Sequence, residues 1–132
     1  MALLTWSDDF KVKVESIDEQ HKIMLRMLNR LHDAMTNGEG VQKVDNILDD
    51  FIVFAEHHFE SEEVTMRQMD YPFIDEHIAE HQDLLVAIRN YRKMNKTHVP
   101  LSMATLENFL MSWTRRHMID ADRKYGEFVA HH

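Results

Sequence analysis

Apolar residues recur along the chain at steps of three and four, the spacing that lines one face of a helix. One seam reads Ile17, His21, Met24, Leu28, Leu31, Met35. A second reads Val44, Leu48, Phe51, Ala55, His58, Glu62, a third Ile74, His77, His81, Leu84, Ile88, Tyr91, and a fourth Leu106, Leu110, Trp113, His117. No strand-like alternation and no internal repeat competes with this pattern. Gly38 and Gly40, Tyr71-Pro72, and Pro100 separate the four segments, with Gly126 a further break near the end. Ser16-Ile17-Asp18-Glu19 fits a capping box that starts the first helix. The second helix is expected from about Val41 to Met69. Pro72 suits the first turn of the third, and Ser102 the N-cap of the fourth. Residues 1–15 read as an extended arm that packs through Trp6, Phe10, Val12 and Val14. The prediction is an all-α fold: an up-down-up-down antiparallel four-helix bundle over about 16–130, behind an N-terminal arm, in a single domain spanning 1–132.

The polar members of the seams change the picture. His21, His58, Glu62, His77, His81 and His117 stand where Leu or Ile would be expected. Helix directions alternate in such a bundle. The polar positions lie early in helices one and three, late in helix two and past the middle of helix four, so all four can converge toward one end of the core. His77 and His81, four apart, share one helix face, as do His58 and Glu62. The fourth helix is less simple. Asp122 is five residues after His117, about 140° around an ideal helix, whereas Asp120 lies closer to its face. Yet the apolar stripe shifts after His117 and continues as Met118, Tyr125 and Val129, with Asp122 in the shifted set. A π-bulge would produce such a slip. His57 points about 100° away from His58, His32 and His98 are expected at the surface, and His131 and His132 are terminal.

Composition narrows the chemistry. The chain has 132 residues, 44% of them apolar, enough for a packed core. Its net charge of −8 argues against nucleic acid and anionic membrane partners. The absence of cysteine excludes disulfides, thiolate zinc sites and cysteine-held iron–sulfur clusters. No apolar run reaches the ~20 residues of a membrane span. The start, MALLTWSDDF, has neither the basic region nor the apolar segment of a signal peptide, so a cytoplasmic protein is expected. Buried histidines and acids need partners, and a bundle core offers few besides metal. Five histidines with two carboxylates exceed what one tetrahedral ion uses. They match two metals sharing two carboxylates, for which iron is the natural choice. The segment His77-Ile78-Ala79-Glu80-His81 also fits the inverted zinc-protease pattern. That reading leaves His21, His58 and Glu62 unexplained and finds no substrate cleft in a compact bundle.

Trp6, Ile17-Asp18-Glu19-Gln20-His21-Lys22, His58-Phe59-Glu60-Ser61-Glu62-Glu63, Met66, Tyr71-Pro72, His77, His81, Phe109-Leu110, Trp113, His117, Asp122 and Tyr125 together resemble the hemerythrin family, in particular its single-domain bacterial members. The resemblance covers nearly the whole chain. It implies that His77, His81 and His117 bind one iron and that His21 and His58 bind the other. Glu62 and Asp122 would bridge the pair beside a bridging oxo or hydroxo group. It favours Asp122 over Asp120. Dioxygen would enter at the open position of the iron held by His21 and His58, in a pocket of Met24, Leu28, Phe59, Leu110, Trp113 and Thr114. The family usually carries a large apolar residue where this chain has Thr114. The implied function is reversible dioxygen binding for storage, transport or delivery to an oxygen-consuming enzyme, in a monomer that is not itself an enzyme. The alternatives are oxygen or redox sensing, peroxide or nitric oxide reduction, and iron handling.

Overall fold

The computed structural model describes residues 6–12, 14–96 and 103–131. Every regular element among them is helical: α1 (Glu15–Thr36), α2 (Val41–Gln68), α3 (Ile74–Lys96), α4 (Met103–Arg116) and α5 (Arg123–Ala130). Between α4 and α5 lies a π-helical segment, His117–Asp122, so the last three pieces form one continuous rod. Consecutive helices pack on each other and α4 closes back on α1, giving a four-helix bundle.

Two turns reverse the chain by the same device. After α1, Gly38 takes φ +63°, and the amides of Gly38 and Glu39 bond back to the carbonyls of Met35 and Ala34 at 3.3 and 3.1 Å. After α2, Asp70 takes φ +53°, and the amides of Asp70 and Tyr71 reach Arg67 and Met66 at 3.2 and 3.0 Å. Both are Schellman closures, in which a left-handed residue lets the last free carbonyls find donors. A short polar side chain such as aspartate tolerates that conformation better than most.

The seams bury as their spacing predicts. Leu28, Leu31, Val44, Leu48, Phe51, Ala55, Leu84, Ile88, Leu106 and Leu110 form the main apolar cluster. Val12, Ile17, Met66, Tyr71 and Tyr125 form a smaller one beneath the arm. Met35 and Ile74 are only half-buried.

Five local expectations are corrected. The first helix begins at Glu15, not at a Ser16 cap, and Val14 at its N-cap gives no side-chain bond. Asp18 instead accepts the Val12 amide at 2.9 Å, so the acidic residue ties down the arm rather than closing a capping box. The arm is not fully extended, because Asp8–Phe10 form a 3-10 turn that brings Trp6 to 5.8 Å from Phe10. Gly126 does not break the chain but lies inside α5, where a Cβ would collide with the Val12 carbonyl oxygen. Glycine there lets the arm cross the helix at backbone contact. His32 is half-buried rather than exposed. Pro72 sits in the turn just before α3, and its neighbour Ile74 bonds back to Tyr71 at 3.3 Å. The Ser102 cap, Pro100 and His98 lie outside the described residues.

Candidate metal centre

All seven residues singled out from the sequence meet at one end of the bundle. α1 supplies His21, α2 His58 and Glu62, α3 His77 and His81, and the π segment His117 and Asp122. None is more than 4% exposed, so these are core residues by position. The π segment makes the last pair possible. Its wider turn brings residues five apart to nearly the same face, and His117 Nε2 lies 3.2 Å from Asp122 Oδ1. Asp120 is exposed.

The two carboxylates divide the histidines into two sets. Glu62 Oε1 faces His77 Nε2 at 2.6 Å and His81 Nε2 at 3.3 Å, while its Oε2 faces His58 Nε2 at 3.3 Å. Asp122 Oδ1 faces His77 Nε2 at 2.9 Å and His117 Nε2 at 3.2 Å, while its Oδ2 faces His21 Nε2 at 3.0 Å. Thus each carboxylate gives one oxygen to His77, His81 and His117 and the other to His21 and His58. Donor atoms of Glu62, His77, His81, His117 and Asp122 all lie within 4.8 Å of one another, as do those of His21, His58 and Glu62.

These groups suit a pair of cations. Glu62 Oε2, His81 Nε2, His117 Nε2 and both Asp122 oxygens are buried without a hydrogen-bond partner. Native cores rarely tolerate so many orphaned polar atoms in one place. Nitrogen and oxygen donors without thiolates fit iron, zinc or manganese. Charge points the same way. Burial and the facing Asp122 push the Glu62 carboxyl up, but the facing imidazoles of His58, His77 and His81 outweigh them and hold it well below the usual range. Asp122 is likewise depressed, its burial overcome by His117 and His21. Burial pushes His77 and His117 down, but Asp122 and Glu62 raise them to about 9 and about 10. The two carboxylates therefore favour positive charge on the groups that face them.

Neighbouring groups fix the imidazoles. Aromatic rings stack on three of them: Phe59 on His81 at 3.9 Å, Trp113 on His117 at 4.5 Å, and Phe54 on His58 at 6.3 Å. The outward Nδ1 of His81 donates to Glu63 at 2.8 Å and that of His117 to Glu80 at 3.2 Å, while His58 Nδ1 bonds to Gln20. Such bonds fix ring orientation and leave Nε2 free for metal. Sequence reasoning gave Glu63 and Glu80 no role. The available signal was weak: Glu80 lies one turn from His77, and Glu63 immediately follows Glu62.

Met24, Leu28, Phe59, Leu110, Trp113 and Thr114 are all buried, between 0 and 3% exposed. Thr114 is the polar exception, and its hydroxyl has no partner. Two clefts reach the ligand set from outside. One of about 120 Å³ has Glu62, Gln20 and Tyr125 in its wall, and one of about 200 Å³ has His77, Glu80 and Asp120. No helix among the described residues is long and apolar enough to cross a membrane.

Comparison with known proteins agrees with this geometry. Residues 12–129 match the family model described as hemerythrin HHE cation binding domain. The bacteriohemerythrin of Stenotrophomonas maltophilia is 31% identical over 132 residues, covering 100% of this chain and 85% of that protein. The bacteriohemerythrin of Methylococcus capsulatus is 32% identical over 128 residues, covering 96% of each. A crystal structure of a wild-type hemerythrin superposes with a TM-score of 0.89 at 30% identity, over 96% of this chain and 97% of that one. The chain belongs to the hemerythrin family.

Proposed function

We propose that this chain is a non-haem di-iron protein that binds dioxygen reversibly and acts as a carrier, storing dioxygen or delivering it to an oxygen-consuming enzyme. His77, His81 and His117 would hold one iron and His21 and His58 the other, with Glu62 and Asp122 shared between them. The observation that carries this reading is the division of the carboxylate oxygens, one of each pair to each histidine set.

Once bound, the iron pair would supply the electrons for dioxygen binding, and the set with only two histidines, His21 and His58, would leave room for a ligand. The protein supplies the surroundings. Five imidazoles against two carboxylates make a nitrogen-rich site, poorer in the anionic donors that stabilise highly oxidised iron. Met24, Leu28, Phe59, Leu110 and Trp113 are buried and apolar, with Phe59 against His81 and Trp113 against His117, and such surroundings would exclude water and offer no acid to protonate a bound ligand. Among the six residues of the expected pocket, Thr114 alone carries a hydroxyl. A ligand held without a proton donor can leave as it came. The chain acts as a single cytoplasmic domain, a monomer that is not an enzyme.

The test is elemental analysis of iron-loaded protein followed by repeated cycling of the reduced form between air and argon. Two irons per chain and full recovery of the reduced spectrum on degassing are expected. One iron per chain, or stoichiometric consumption of dioxygen at every exposure, overturns the proposal.

A further inference from the structure

The two histidine sets differ in what stands behind them. Every Nε2 faces the bridging carboxylates, so the outward Nδ1 carries the ring proton. Behind the larger set, His81 Nδ1 donates to the Glu63 carboxylate at 2.8 Å and His117 Nδ1 to the Glu80 carboxylate at 3.2 Å. Behind the smaller set no carboxylate bond is found among the described residues. His58 Nδ1 donates to the neutral Gln20 amide, and His21 Nδ1 is buried without a partner.

A hydrogen bond to a carboxylate is charge-assisted and about twice as strong as one to a neutral acceptor. It leaves the imidazole more basic and a better donor to metal. Ferric iron gains more from such a donor than ferrous iron does. We infer that Glu63 and Glu80 are positioning residues that make the iron at His77, His81 and His117 the first to lose an electron, leaving the iron at His21 and His58 ferrous. This rests on the di-iron reading above and adds an ordering of the two irons within it. It also gives the asymmetry a use: the iron with the open position stays in the state that can donate to a ligand.

Glu63 should matter more than Glu80. Its side chain is 14% exposed against 38% for Glu80, and its bond is shorter. Arg67 lies 3.9 Å from Glu63 Oε1, the oxygen turned away from His81, and offsets only part of its charge.

The experiment compares wild type with Glu63→Gln, Glu80→Gln, the double variant and Gln20→Glu. Iron content is measured first, then both midpoint potentials by titration with ferricyanide and dithionite. Replacing both glutamates should shift the first oxidation by about tenfold in its equilibrium constant, or about 59 mV upward for one electron, and move the second less. Gln20→Glu places a carboxylate behind His58 and should lower the second potential instead. A loss of packing alone would not produce opposite signs. Variants that hold two irons with both potentials unchanged overturn the inference. Wild type with fewer than two irons overturns the di-iron reading itself, and this is seen before any potential is measured. If Glu63→Gln fails to fold, the more exposed Glu80→Gln carries the same test with a smaller shift.

Discussion

The two ends of the bundle core are equally buried and held by opposite forces. At one end Leu31, Val44, Leu48, Ile88 and Leu106 are 0–5% exposed. Their burial is favourable in itself, at roughly 25 cal/mol per Å² of apolar surface. At the other end His21, His58, Glu62, His77, His81, His117 and Asp122 are 0–4% exposed. Burying those groups is unfavourable unless something compensates. The apolar end can therefore fold on its own account, whereas the histidine end needs a cation. Burial alone does not distinguish a core from a site; the chemistry of what is buried does.

Removing the metal should break the symmetry most. Leaving a buried pair without its partner costs about 3–5 kcal/mol, and each kcal/mol is worth roughly 4 °C for a chain of this size. The metal-free protein should therefore melt about 12–20 °C below the loaded form. Protons partly replace the metal, so the gap depends on pH. His77 and His117 are raised from 6.5 to about 9 and about 10. Their contribution is complete below pH 6.5 and lost as pH rises through those values. Glu62 and Asp122 are depressed, so their contribution is lost only in acid. Metal binds neutral imidazole, and the gap between the two forms should widen from pH 6.5 to 10. Calorimetry of both forms across that range checks it; a gap that narrows would contradict the charge arrangement.

The next largest effect separates the two aspartates. Asp122→Asn alters the carboxylate whose two oxygens face different histidine sets and should weaken binding of the iron pair by about 100-fold or more, beyond the range typical for residues one step further out. Asp120→Asn, at an exposed position, should change stability by less than about 0.5 kcal/mol. Iron content and optical spectra decide; the reverse outcome would mean that the π segment is absent in solution.

Leu48→Ala tests the other end. Leu48 is fully buried, and its truncation should cost about 2–5 kcal/mol. Iron content should remain two per chain. A variant that loses iron in proportion to stability would show that the two ends fold as one unit.

Why some of this was legible and some not follows from how each ligand is delivered. α2 presents His58 and Glu62 at i and i+4 on an unbroken helix, and α3 does the same with His77 and His81, so spacing alone places them. The fourth rod presents His117 and Asp122 at i and i+5, which an ideal helix places on different faces. Only the shifted stripe of Met118 and Tyr125 signalled the π segment. Glu63 and Glu80 were missed for another reason. Their bonds span 18 and 37 residues and cross between helices, and no local spacing encodes such a contact. Read along their own helices, both look like members of a solvated face. The arm shows the same limit: Gly126 read as a break because its reason, the Val12 carbonyl, is far away in sequence.

Thr114 lies at the boundary between the two ends, and its replacement should give the smallest effect. It stands four residues after Leu110 and three before His117, fully buried, with a hydroxyl that finds no partner. An unpaired buried hydroxyl costs about 1–3 kcal/mol. Valine has nearly the same shape without that group. Thr114→Val should therefore raise stability by about 1 kcal/mol, or roughly 4 °C in melting temperature, equally in the metal-free and loaded forms. In the proposed dioxygen pocket the same change would leave only apolar side chains. A polar group can hold a water in a site with room for one, and water in the pocket can supply the proton that turns a reversible carrier into an oxidised, inactive one. Decay of the oxygenated spectrum should thus be slower in the valine variant. A fall in stability would show that the hydroxyl is paired with a bound water. An unchanged decay would place Thr114 outside the pocket, on the apolar side of the boundary.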